Sequence, residues 1–175
     1  MGQLNFLKYM HGPGLDYVRI SNGTLSFFPF NVEQSISWSI LNFHHSRSGA
    51  SMTHTFNVGL YSLNGATLSM ANSISRTFSS SGAGGRGFVS MSDVSSAQNI
   101  TPGTWFLGIL AFTGGNSGFD FGGNTSPDPA NAFPGGFIGG RMTASTAALP
   151  ASYATADLDI TGRDAMNTIN ILLTT

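Results

Sequence analysis

The chain has 175 residues and a formal net charge of −1, with seven Lys or Arg against eight Asp or Glu. Basic residues this few and this scattered cannot neutralise a phosphate backbone, which argues against nucleic acid as a partner. The lack of Cys excludes disulfides and Cys-based zinc sites.

Only 9% of the residues are charged, against about 25% in a usual soluble domain. The polar surface must therefore come from Ser, Thr, Asn and Gly. A content of 14 Phe is unlike that of disordered chains. The length suits one domain with a continuous core. No stretch approaches the roughly 20 apolar residues of a membrane span, so no membrane partner is expected. The first residues lack the basic and then apolar pattern of an export leader.

Residues 1–16 precede any clear strand, and Gly12-Pro13-Gly14 makes a swivel there. They are expected to form an N-terminal arm that docks on another subunit, ahead of a single domain over 17–175. Residues 17–20 and 25–30 bracket Asn22-Gly23 and read as a hairpin. Residues 32–43 read as one strand, because Ile36, Trp38 and Ile40 alternate with Ser35, Ser37 and Ser39, the pattern of a half-buried antiparallel sheet. A polar loop follows over 44–50.

Met52, His54, Phe56, Val58 and Leu60 form a second alternating set, ending at Tyr61-Ser62-Leu63. Asn64-Gly65 then separates it from 66–70. Asn-Gly between apolar runs predicts a two-residue type I′ hairpin, whose central residues both need positive φ. A Ser/Gly loop is expected over 79–87 and a short strand over 88–91. Thr101-Pro102-Gly103 reads as a turn.

Residues 104–113 are apolar on both faces, which places that strand centrally or at a subunit contact. A Gly/Phe-rich loop is expected over 114–140, long enough to suggest function. Residues 153–160 read as a short strand or a single helical turn, and 168–174 as the last strand. No long amphipathic helix is found, and many short strands with turn signals indicate a sandwich or barrel. The fold class expected is all-β, an antiparallel, jelly-roll-like β-sandwich.

The hairpin region, Val58-Gly59-Leu60-Tyr61-Ser62-Leu63-Asn64-Gly65-Ala66-Thr67-Leu68-Ser69-Met70, resembles a pattern of bacteriophage structural proteins, roughly (V/I)GLY…NG(S/A)TLSL. There it lies in β-sandwich domains of tail-fibre or capsid-surface chains. Gly23-Thr24-Leu25 and Phe28-Pro29-Phe30 precede it in similar order. Pro102-Gly103-Thr104-Trp105-Phe106-Leu107 and Leu149-Pro150-Ala151-Ser152 follow it. The resemblance implies a virion-surface location, other virion proteins of the capsid or tail as partners, and a homo-oligomer such as a trimer. It brings no catalytic residues.

The residues themselves offer little chemistry. His44 and His45 are adjacent and would point to opposite faces of a strand, so at most one can join His54, which is weak spacing for zinc. Asp157 and Asp159 are the nearest approach to an acid pair, but a solvated edge explains them better than a glycosidase cleft. No Gly-x-Ser-x-Gly elbow or phosphate loop is present. No enzyme activity, metal or cofactor is therefore expected.

Phe6, Tyr17, Phe119, Phe121, Phe133 and Phe137 are expected at subunit contacts. Trp38 and Trp105 are expected in the core. Tyr61 and Tyr153 are the aromatics expected at the surface, where they would stack on a host glycan if the chain is instead a receptor-binding module.

Overall fold

The computed structural model describes residues 4–5, 16–20, 23–46, 52–80, 86–91, 98–113, 119–124, 140–143, 148–158, 168–169 and 171–174. Within them the chain is all-β, with every strand pairing antiparallel. The strands in chain order are β1 (Leu4–Asn5), β2 (Asp16–Ile20), β3 (Thr24–Val32), β4 (Ile36–Trp38), β5 (Ile40–Ser46), β6 (Met52–Asn64), β7 (Thr67–Ser80) and β8 (Arg86–Met91). They continue as β9 (Gln98–Ile100), β10 (Gly103–Thr113), β11 (Phe119–Asn124), β12 (Gly140–Thr143), β13 (Ser152–Ala154), β14 (Thr168–Ile169) and β15 (Ile171–Thr174). A 3₁₀ turn, Thr155–Asp157, follows β13.

Six strands form a sheet in the order β12-β3-β10-β6-β7-β13. Seven others, β1, β2, β5, β8, β11, β14 and β15, form a second sheet around β5 and β11. β4 and β9 make a separate two-stranded ribbon. β10 lies between β3 and β6, with Leu107 opposite both Phe28 and Leu60. That central place explains its double-sided apolar sequence: Trp105, Phe106, Leu107, Ile109 and Leu110 are all buried. β3 behaves the same way, with Leu25, Phe27, Phe28 and Phe30 buried on alternating sides. Burial of this kind contributes roughly 1.5–3 kcal/mol for each such side chain. Pro29 lies beyond Phe27, so its missing N–H interrupts none of the described pairs with β12.

One face of the six-stranded sheet carries a continuous core of Leu25, Phe27, Tyr61, Leu68, Phe106 and Leu110. Leu158 closes over it, and Leu63, Met70, Leu149 and Tyr153 pack at its margin. Trp38 and Trp105 are both buried, as the alternation predicts. The Trp105 indole donates to the Thr101 carbonyl at 2.8 Å, whereas the Trp38 indole N–H is buried without a hydrogen-bond partner.

Several boundaries differ from the sequence reading. The single strand expected over 32–43 is broken twice: Val32 ends β3, 33–35 belong to no strand, and beyond Ser39 the chain leaves β4, which pairs with β9, for β5 in the seven-stranded sheet. The strands expected to form a hairpin around Asn22-Gly23 pair elsewhere, β2 with β11 and β3 with β10 and β12. Gly23, at φ 72°, instead marks a corner between two sheets.

The hairpin of β6 and β7 is present, but its turn is displaced by one residue. Asn64 pairs with Thr67, leaving Gly65-Ala66 as the loop, and only Gly65 has positive φ, at 61°. That is the type II′ pattern, Gly at the first central position, rather than type I′. β7 runs on to Ser80, well past the expected 66–70 and into the loop expected over 79–87.

The expected 114–140 loop contains the whole of β11 and the start of β12, while 125–139 lie outside the described residues. Within the expected arm, Leu4 and Asn5 pair with β15 of the same chain, and Asp16 opens β2. The rest of 1–16 lies outside the described residues.

Candidate functional site

The candidate surface is built where residues 148–158 run along the turn end of the β6–β7 hairpin. β13 lies along β7, with Ser152 opposite Ser69, Tyr153 opposite Leu68 and Ala154 opposite Thr67. Two backbone bonds extend this short ladder: the Met70 N–H donates to Ala151 O at 2.8 Å and the Thr155 N–H to Ala66 O at 2.9 Å. The Thr155 hydroxyl also donates to Ala66 O, at 3.1 Å. The segment is thus tied to the tip of the hairpin through backbone groups. A proline at 150 suits it, because Pro has no N–H to leave unpaired.

Tyr61 is fully buried in this arrangement. Its hydroxyl donates to Pro150 O at 2.9 Å. Its ring meets Phe27 edge-on, with centroids 5.1 Å apart and planes at 81°. Burial pushes its phenol far above the ordinary value of 10.0. The expected exposed, sugar-stacking Tyr61 is therefore corrected. Alternation does put it on the face opposite Val58 and Leu60, but that face is covered too, by 148–158. The double-sided apolar sequence of β10, the neighbouring strand, was the available signal.

Tyr153 is half-buried. Its ring stacks on Phe27 at 5.8 Å and 26°, and its hydroxyl donates to Asp157 O at 3.1 Å. Burial, and then the Asp157 carboxylate, raise its phenol above the ordinary value. Both tyrosines thus pack against Phe27.

The remaining predicted contact residues are distributed differently. Tyr17 lies in β2 opposite Gly122. Phe119 and Phe121 lie in β11 opposite Ile20 and Val18, within a sheet rather than in a loop. Phe6, Phe133 and Phe137 lie outside the described residues. His44 and His45 are in β5 of one sheet and His54 in β6 of the other, so the chain does not gather them on one strand pair. Among the described residues no group of three His, Asp or Glu is placed to hold a metal ion.

What the tied surface offers chemically is small and mostly uncharged. Gly65, Ala66, Ala151, Ser152 and Ala154 are exposed there, with Asp157 as the acidic group at its end. Short side chains of this kind let another polypeptide approach the backbone closely. The class defined by these observations is an all-β protein of antiparallel sheets. The sequence matches no family model, no curated protein and no solved structure.

Proposed function

We propose that this chain is a non-enzymatic structural protein of a bacteriophage particle, a capsid decoration (cement) protein or a fibre subunit, acting on the virion surface by binding other virion proteins. The observation that carries the reading is the hairpin. The stretch that resembles phage structural proteins, 58–70, forms the joined ends of β6 and β7, and the second matching segment, Leu149-Pro150-Ala151-Ser152, docks on it. Two pieces of one sequence pattern, far apart in the chain, are thus parts of one packed unit.

A two-layer, jelly-roll-like arrangement belongs to the same proposal. It is supported by the burial of β3 and β10 on both sides. The low charge fits a surface that is largely covered by neighbours in a lattice. Sugar recognition is the weaker reading, since Tyr61 is buried and Tyr153 already stacks on Phe27.

Antibody raised against the purified chain, applied to density-purified particles for immunogold microscopy, tests the proposal. Regular labelling of heads or tails is expected. Recovery of the chain only in the particle-free lysate would overturn it.

A further inference from the structure

The Asn64-Gly65 dipeptide lies at the tip of the β6–β7 hairpin, where Asn64, Gly65, Ala66 and Thr67 are all exposed. Asn64 and Thr67 form the pair that closes the ladder. The Gly65 N–H therefore belongs to the two-residue loop and stands outside the rungs. A Cβ at Gly65 would meet nothing within 4 Å. The amide of Asn64 and the backbone nitrogen that follows it thus stand at the surface, with no side chain at residue 65 to shield them.

Asparagine is among the thermolabile residues, and here its neighbour supplies the nucleophile. Once the Gly65 N–H has given its proton to hydroxide or a buffer base, the nitrogen attacks Cγ of Asn64. A bond forms between Gly65 N and Asn64 Cγ, the bond from Cγ to Nδ2 breaks, and the amide leaves as ammonia after taking a proton from water. Water then opens the five-membered imide at either carbonyl. Opening at Cγ gives aspartate, and opening at the main-chain carbonyl of residue 64 gives isoaspartate. Water is consumed and ammonia released, so the balance needs no oxidant and no second protein.

The fold acts as a brake on this step. Asn64 ends β6 in extended backbone, whereas ring closure swings the Gly65 nitrogen toward the Asn64 side chain, away from extended ψ. The pair of Asn64 with Thr67 must open first, a local event at a turn. Ala66 O resists that opening, because it accepts from the Thr155 N–H at 2.9 Å and from the Thr155 hydroxyl at 3.1 Å. We propose that Asn64 is a site of spontaneous deamidation in the folded chain, at a rate governed by the clasp of Thr155 on Ala66. The product sets a carboxylate, or an extra main-chain methylene, in the closing pair of the hairpin. This inference does not use the virion reading: it is measured on the purified chain, and its failure leaves particle labelling untouched.

The full-length chain is incubated at mildly alkaline pH, folded and in urea. Its peptides are followed by mass spectrometry, with chromatographic separation of aspartate from isoaspartate. Peptides carrying Asn64 and Asn22 are resolved separately, because Asn22-Gly23 repeats the dipeptide. In the folded chain the Asn64 peptide is expected to convert to both products, more slowly than in urea. Thr155→Val, which removes the hydroxyl bond, is expected to speed the conversion several-fold in the folded chain and to leave the rate in urea unchanged. Circular dichroism checks that the variant is folded. Intact Asn64 in the folded chain, over a time in which the urea-unfolded chain converts, would overturn the site. Equal folded rates for the wild-type chain and Thr155→Val would overturn the role of the clasp.

Discussion

Tyr61 and Gly108 explain each other. In the register of β6 and β10, Phe106 stands opposite Tyr61 and Gly108 opposite Gly59, so the tyrosine ring can lean diagonally across the glycine pair. A Cβ at Gly108 would stand 2.7 Å from Tyr61 Cε2 and 3.2 Å from Phe27 Cε1. The tyrosine ring therefore occupies the space a side chain would take. A sequence alone shows a glycine inside an apolar strand but not which ring fills its place. Tyr61 was legible as a residue facing away from the Val58 and Leu60 side, and illegible as core, because its cover arrives from 148–158, far along the chain. Gly108→Ala is expected to cost about 1–3 kcal/mol, as overpacking in a close-packed core does. In a Tyr61→Leu background, where the ring is gone, the same change is expected to cost markedly less. Urea unfolding of the four chains of this cycle measures the coupling; additive losses would show that ring and glycine are independent.

At the level of elements, what the sequence reveals depends on how local the cause is. The β6–β7 hairpin was legible because alternation and a turn dipeptide lie side by side. Its turn type was not, since Asn64-Gly65 and Gly65-Ala66 differ only in how the strands register. β7 was read far too short. After Met70 its larger apolar residues, Ile74 and Phe78, are spaced by four among Ser, Asn, Arg and Thr, which hides the period of two that marks a strand. The break between β4 and β5 and the corner at Gly23 were missed for a related reason. A strand that changes sheet keeps its alternation, and only its partners reveal the change. The expected 114–140 loop shows the same limit: glycine pairs at 122 and 123 suggested irregular chain, yet both pair within β11. The turn itself gives the test at this scale. Gly65 has φ 61° and open space around a would-be Cβ, so Gly65→Ala meets only the backbone penalty of that conformation. A loss of about 1–2 kcal/mol is expected from thermal or urea melts. No loss would mean that the turn tolerates an ordinary residue and that Gly65 is there for another reason.

The whole molecule is held by apolar burial and sheet hydrogen bonds, with 9% charged residues to add electrostatics. Its stability should therefore respond little to salt and little to pH through the neutral range. Among the described residues the exception is Tyr61, a group whose ionised form the fold rejects. Its phenol is raised by burial, and its O–H holds Pro150, so the neutral form is the one the folded state binds. A phenol raised on folding contributes stability that is fully present below the unfolded value of about 10 and is lost as pH rises toward the folded value. Tyr153 is raised in the same direction, but its hydroxyl bond lies at the exposed surface, and water screening leaves it a minor contributor. Urea midpoints for the wild-type chain should thus be flat from neutrality to about pH 10 and then fall steeply. Tyr61→Phe should unfold about 0.5–1.5 kcal/mol more easily at pH 7, from the lost bond to Pro150, yet lose less as the pH climbs, so that the two curves converge in alkali. Parallel curves at all pH values would show that the alkaline loss belongs to other groups and that Tyr61 is a packing residue whose hydroxyl is incidental.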